Sequence, residues 1–298
     1  MDKKKLTPDQ QFFNDKTLEL TKEIYNTCEE QINLLYNLQK KNRDDLLTEI
    51  AKILLSYNIV DNILSLSTTE KKKLYLDIGN SINKKIKTEL KTETNSTKGM
   101  LLDAAELKYS TNNYIYSLGI DYKLTQAPEE VLNKIVDEKI DGEIWSDRLW
   151  SNKNELAKDL KVQVKKFLKG EINVNDIEKV IKTKYNSNAS NTSRLVKTEI
   201  TRVQSGANDY WAKEHNIEQQ LFMATLDNRT SEICRSHDGQ VFDIDDTNKP
   251  IPPLHPYCRS CLVNLPSKEW NPKMRLDNET KQNINWQSYE EWNKNKNL

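Results

Sequence analysis

The sequence predicts a mainly α-helical protein of the α+β class, with a long N-terminal helical region followed by a small β module packed on a helix. Three observations carry this. No proline occurs between Pro8 and Pro128, or again before Pro250, whereas six of the eight lie in residues 250–272. In the proline-free text, Leu and Ile recur at steps of three and four among charged residues, which builds one apolar helix face. Past Asn216 the text changes to short β-type runs separated by turn residues.

Composition bounds the rest. A chain of 298 residues can form two domains or one sizeable core. Seven glycines and eight prolines are too few for disorder, collagen or most all-β folds. Forty-five basic residues balance forty-five acidic ones, so there is no global basic footprint for nucleic acid, only local patches. No apolar run approaches the roughly 18 residues of a membrane span, and the first eight residues, Met1 to Pro8, lack the apolar stretch of a signal peptide. The expectation is no membrane association, and a reducing, intracellular site of synthesis in which the four cysteines do not form a disulfide framework.

Taken in order, the first helix has Thr7 as N-cap, Pro8 at the first helical position and Gln10 completing a capping box. Leu20, Ile24, Cys28, Ile32, Leu35 and Leu38 make its apolar stripe, with Cys28 as a core residue. Lys40 to Arg43 break the pattern, and a second helix runs near Asp44–Tyr57. A third starts near Thr69 and is interrupted around Asn95–Gly99. Lys71 to Lys73 and Lys84, Lys85 and Lys87 read as a solvated face, with a DNA phosphate contact as the sharper alternative.

Residues 100–190 continue as helices: Met100–Asp121, then Pro128 to about Lys139, then Trp145 through Leu156, Leu160, Val164 and Leu168 to a stop at Gly170. Asn175 and Asp176 restart a helix, and Asn186–Ser193 reads as a polar linker or cap. Arg194–Glu214 follows with Val196, Ile200, Val203, Ala207 and Tyr210 on one face. Thr198, Glu199 and Arg202 lie off that stripe, and Glu199 reads as an exposed or capping carboxylate rather than a catalytic one. The expected division is a helical N-terminal region (1–99), a helical middle region (100–190), a C-terminal domain (191–266) and a polar, aromatic-bearing tail (267–298).

Within the C-terminal domain, Leu221–Leu226 reads as a strand, Asp227 to Thr230 as a turn, Asp238-Gly239 as a hairpin signal, Val241-Phe242 as a second strand and Cys261–Leu265 as a third. Asp243, Asp245 and Asp246 lack EF-hand spacing and read as loop. This module is too thin to hold itself by burial alone. Three of the four cysteines and two of the three histidines fall within residues 234–261. Two residues separate Cys234 from His237, two separate Cys258 from Cys261, and twenty lie between the pairs, which is the spacing of a structural zinc site. His255 is a fifth candidate ligand. A zinc staple, or docking onto the 194–214 helix, would supply the stability that the module lacks. In the tail, Trp270, Trp286, Tyr289 and Trp292 either anchor on another surface or fold back on their own domain.

Over residues 145–266 the text resembles the phage head morphogenesis proteins of the Mu F-like type, the minor head (minor capsid) proteins. The matching pieces are Trp145 to Trp150; Arg194 to Glu199 with Thr201 and Arg202; Asp227 to Thr230; and Cys234-x-x-His237-Asp238-Gly239 with Pro252-Pro253-Leu254-His255-Pro256-Tyr257-Cys258-Arg259. Two departures stand out. His237 occupies a position where the family often has cysteine, and Cys258-Arg259-Ser260-Cys261 replaces a Cys-Arg-Cys ending. Both keep metal-binding side chains and leave open which four of the five hold the ion.

The resemblance implies a structural, non-catalytic virion protein built into a tailed-phage head. It would lie in the head interior or at the portal vertex, pass through the host cytoplasm during assembly, associate with the portal protein, with the scaffold or major capsid protein as further candidates, and contact packaged DNA non-specifically. Two competing classes are a metal-dependent nuclease or hydrolase and a sequence-independent DNA-binding module. Against the first stands the lack of a visibly placed base beside the Cys/His cluster. Against the second stands the neutral charge.

Overall fold

The structure, a computed structural model, describes residues 8–117, 125–266 and 273–296, with the α1 side chains described from Cys28 onward. It is mainly helical with small antiparallel sheets. The chain divides into two units that interleave in sequence. One comprises Glu29–Lys98 and Lys139–Leu195, the other Met1–Cys28, Gly99–Glu138 and Val196–Leu298. Three of the four boundaries fall inside helices α1 (Pro8–Ser56), α2 (Thr68–Ser117) and α5 (Ile177–Glu214), and the fourth, at Glu138, lies between helices. Thr7, Gln10, Leu20, Ile24 and Trp270, to which the sequence assigns capping, core or anchoring roles, lie outside the described residues or side chains.

In the first unit, segments of α1, α2, α4 (Trp145–Lys169) and α5 surround one core that includes Leu46, Ile50, Ile82, Leu160, Phe167 and Ile181. A two-residue hairpin turn joins α1 to α2. Val60 pairs with Ile63, between strands β1 (Ile59–Val60) and β2 (Ile63–Leu64), so Asp61 and Asn62 alone make the turn. Both have positive φ, 51° and 61°, as a type I′ turn needs and as Asp and Asn tolerate. Gly170 ends α4 at φ 85°, and a Cβ there would meet the Ile63 side chain at 2.7 Å, so only glycine suits that cap.

Three expected interruptions are absent. Lys40 to Arg43 lie inside α1, Asn95 to Gly99 inside α2, and Asn186 to Ser193 inside α5. None of these stretches contains proline, and the one glycine, Gly99, meets no steric demand. The polar text near the first and third continues the buried stripe in polar form, because part of this core is itself polar. Lys153 of α4 is fully buried with Glu89 and Glu93 of α2, pairing with both. Gln39 donates to Glu93 at 2.8 Å, Asn42 to Glu89 at 2.6 Å, and Lys153 to Asn188 at 2.8 Å. A periodicity argument that counts only apolar residues reads such positions as breaks.

Two carboxylates face one ammonium here. Burial drives the Glu93 carboxyl above its ordinary range, Lys153 pulls it back, and Glu89 pushes it up again. The net direction is upward, so the fold favours the protonated acid. Stability from this group is present in full below the unfolded value of 4.5 and is lost as pH rises through the raised folded value. The urea midpoint should therefore decline with increasing pH above the ordinary carboxylate range. Glu93→Gln, which is neutral at every pH, should flatten that decline. A variant with the wild-type pH profile would show that Glu93 does not cause it.

In the second unit, strand β3 (Gln219–Met223) is the centre of an antiparallel sheet of order β4-β3-β5, with β4 at Val241–Asp243 and β5 at Cys261–Leu265. The C-terminal part of α5 is hydrogen-bonded to it: Asn208 donates to the Leu262 carbonyl and to Asn264. Tyr116 of α2 donates to the Asn264 carbonyl at 2.6 Å. Short helix α3 (Glu129–Val136) approaches α5 closely enough that a Cβ on Gly206 would lie 2.9 Å from Ile135. The described part of the tail folds back on its own unit. It forms a hairpin of β6 (Met274–Asp277) and β7 (Gln282–Asn285), then helix α7 (Tyr289–Lys296), and buries Tyr289 and Trp292 with Leu226. No helix among the described residues is long and apolar enough to cross a membrane.

Candidate metal centre

The fold brings three of the five sequence-predicted ligands together. Cys234 lies on α6 (Glu232–His237), a single short helix that Ser231 caps by accepting from the Cys234 amide. His255 and Cys258 lie on the turn before β5. That turn is closed by the Cys258 amide donating to the His255 carbonyl at 3.1 Å, with Tyr257 at φ 59°. Cys234 Sγ is 3.7 Å from Cys258 Sγ and 3.3 Å from His255 Nε2, and all three ligand atoms lie within 4.8 Å of one another. Two thiolates on one tetrahedral zinc stand about 3.8 Å apart, and a thiolate and an imidazole about 3.5 Å, given the usual bond lengths. The two edges from Cys234 are already close to these values.

The histidine tautomer fits as well. His255 Nδ1 is 2.8 Å from the Pro256 carbonyl, an oxygen that can only accept, so Nδ1 carries the hydrogen and Nε2 turns a lone pair toward Cys234. The two thiols are buried in an apolar cluster with Phe222, Ala224 and Leu262. Their protons are unequally held. The hydrogen bond from Cys234 draws the Cys258 thiol down to about 5, with burial opposing and backbone amides of Leu254 and Ser260 assisting. Cys234 moves upward, first through that same bond and then through burial. One ready thiolate beside a second sulfur and an imidazole lone pair is a soft donor set suited to zinc.

His237 and Cys261 stand apart from the trio. The His237 ring packs 5.6 Å from Phe222 and 6.4 Å from Phe242, and its Nδ1 is buried without a hydrogen-bond partner among the described residues. Cys261 is exposed at the start of β5. Strand alternation turns it away from Leu262, the neighbour that packs with Cys234 and Cys258.

Spacing alone does not reveal the frame around the cluster. Three threonines hold the backbone of the turn. Thr198 accepts from the Tyr257 amide, Thr201 donates to the Cys258 carbonyl at 2.7 Å, and Thr225 donates to the Arg259 carbonyl at 3.0 Å. Thr198 and Thr201, three apart on α5, face the turn together. Glu199 and Arg202, offset by one residue, serve α3 instead. Arg202 donates to the Ile135 and Val136 carbonyls at the end of α3 and is held by Glu199 at 2.6 Å. Glu199 is therefore buried rather than exposed, and acts on a helix terminus through the arginine. The signal that could have found it was the repeated Thr-Glu, Thr-Arg pattern at a spacing of three.

Two more carboxylates of this unit are likewise engaged. Asp227 forms a forked pair with Arg259, at 2.5 and 3.0 Å. Burial works to raise its carboxyl, but Arg259 and the Arg229 amide outweigh it and hold it below the ordinary range. Asp238 accepts from Arg275, from the Ala224 amide at 2.7 Å and from the Tyr289 amide at 2.6 Å, which ties the tail to the module.

Residues 158–263, little more than a third of the chain, match the model of the family described as Phage Mu protein F like protein. That match suggests a phage head morphogenesis protein. No curated protein and no solved structure matches the chain.

Proposed function

We propose, from the phage Mu protein F-like segment at residues 158–263, that this chain is a structural component of a tailed-phage head. It acts as a minor head protein that binds the portal during head morphogenesis and contacts packaged DNA. It resides in the virion after assembly in the host cytoplasm, where the scaffold or major capsid protein are further partners. The family match is the observation that carries this reading. The chemistry of the C-terminal unit agrees with it. Glu199, Asp227 and Asp238, three buried carboxylates of this unit, are each held by an arginine, which suits a rigid scaffold better than a site needing a free general base.

Zinc held by Cys234, His255 and Cys258 then works as a staple, tying α6 to the turn before β5, with the fourth position falling to His237 or water. Bound there, the ion supplies cross-linking and no reaction step is assigned to it. The same three-ligand count also suits a catalytic zinc, so the deciding experiment addresses both readings. Tagged full-length chain should co-purify with the portal protein of the same phage and be present in purified heads. A chain absent from heads that cleaves DNA when metal is added would replace this reading with the nuclease one.

A further inference from the structure

Outside the family-matched segment, α2 carries a feature that the metal centre does not use. From Lys71 to Lys98 the helix has eight lysines and three acids. Folding sharpens this bias, because Glu89 and Glu93 turn fully inward, where Lys153 meets their charge. Lys73, Lys84, Lys87, Lys91 and Lys98 are all exposed. At 3.6 residues per turn their positions fall within an arc of about 60°, running for about 37 Å along the helix. This arc is opposite the buried stripe of Ile78, Ile82, Ile86, Glu89 and Glu93. Asn80 lies on the arc, and Asp77 and Asn95 border it about 20° to one side. Among the described residues, Lys73, Lys84, Lys87 and Lys91 make no ion pair, whereas Lys85, off the arc, pairs with Glu49 at 3.5 Å.

We propose that this lysine face docks the phosphate backbone of duplex DNA without reading its sequence. The inference deepens the head-protein reading and rests on it only for where the DNA is met. Like charges three and four residues apart repel and destabilise a helix, so a row of them facing solvent suits an anion that extends along it. The row is one duplex turn long, about 11 base pairs at the usual rise, which suits a polymer rather than a small anion. The arc and this border hold only Lys, Asn and one Asp, with none of the aromatic or arginine anchors that dominate protein interfaces. Lysine meets phosphate as a point charge and lacks the fork by which arginine reads guanine.

The test is a salt series of binding titrations with labelled duplexes of two unrelated sequences, using the full chain and the K84Q/K87Q/K91Q variant. The expected result is equal affinity for both duplexes and a slope of log affinity on log salt near −4.5 if all five lysines engage, falling by about 2.7 in the variant. An unchanged melting temperature should show that the variant is folded, as exposed positions predict. Failure to bind at low salt, an unchanged slope in the folded variant, or discrimination between the duplexes overturns the proposal. So does competition by polyglutamate as effective as that by unlabelled duplex, which would point to an acidic protein instead. The expected slopes in a chain that never enters heads would leave this proposal standing and remove the head-protein reading alone.

Discussion

Replacing Cys258 by serine is expected to lower the melting temperature on the order of 10 °C and to abolish zinc binding. Wild-type protein should carry close to one zinc per chain by elemental analysis, and chelation should reproduce the loss of stability. Cys258 and His255 each lie from Cys234 at about the distance that a tetrahedral ion would impose, in a unit whose local apolar cluster is small. Structural zinc contributes folding free energy directly. Losing about 4 kcal/mol in a domain of this size translates into a shift of that order. The comparison with Cys261→Ser is the sharp part. Cys261 is exposed on the other side of the strand, so its variant should keep the metal and most of the stability. Equal losses in the two variants would mean that the chain rearranges to use both sulfurs. Metal-free wild-type protein with chelator-insensitive melting would reduce the trio to a hydrogen-bonded cluster.

Lys153→Met should cost about 3–5 kcal/mol, because it strands two buried carboxylates without a partner. Glu89, Glu93 and Lys153 have no exposed side-chain surface, so solvent cannot compensate. The check is urea denaturation of the single variant against K153M/E89Q/E93Q, in which no buried charge is left. The triple variant should recover much of the loss, since replacing a whole buried ionic group is far less costly than breaking it. A single-variant loss below about 1 kcal/mol would mean that the carboxylates find water or neutralise at little cost, contrary to their burial.

The two effects arise from residues of different legibility. The cysteines and His255 stand out because their types are rare and their spacing is short. Lys153 is one of forty-five basic residues and carries no local mark. Its role needs Glu89 and Glu93, sixty or so positions earlier, brought to it by packing. The same holds for Asn188 and Gln39, which interrupt an apolar pattern in the text while continuing a buried stripe in the fold. Glu199 likewise looks like a surface acid until Arg202 and the end of α3 are placed beside it.

Helix content, the αL stop at Gly170, the three strands of the β module and the clustering of metal-type side chains all follow from local pattern. Proline placement, glycine tolerance for positive φ and residue periodicity act within a few positions, so the amino-acid order alone determines them. Which ligands converge is another matter. His237 and Cys261 have the spacing of ligands, yet one packs between Phe222 and Phe242 and the other begins a strand on its exposed side. Those outcomes depend on the strand register and on how α6 meets the sheet. They are decided by contacts between segments distant in the chain, where direction as well as spacing governs what can meet. The lysine face of α2 has the same origin: its lysines are plain in the text, but only the inward turn of Glu89 and Glu93 takes the acids off that side of the helix.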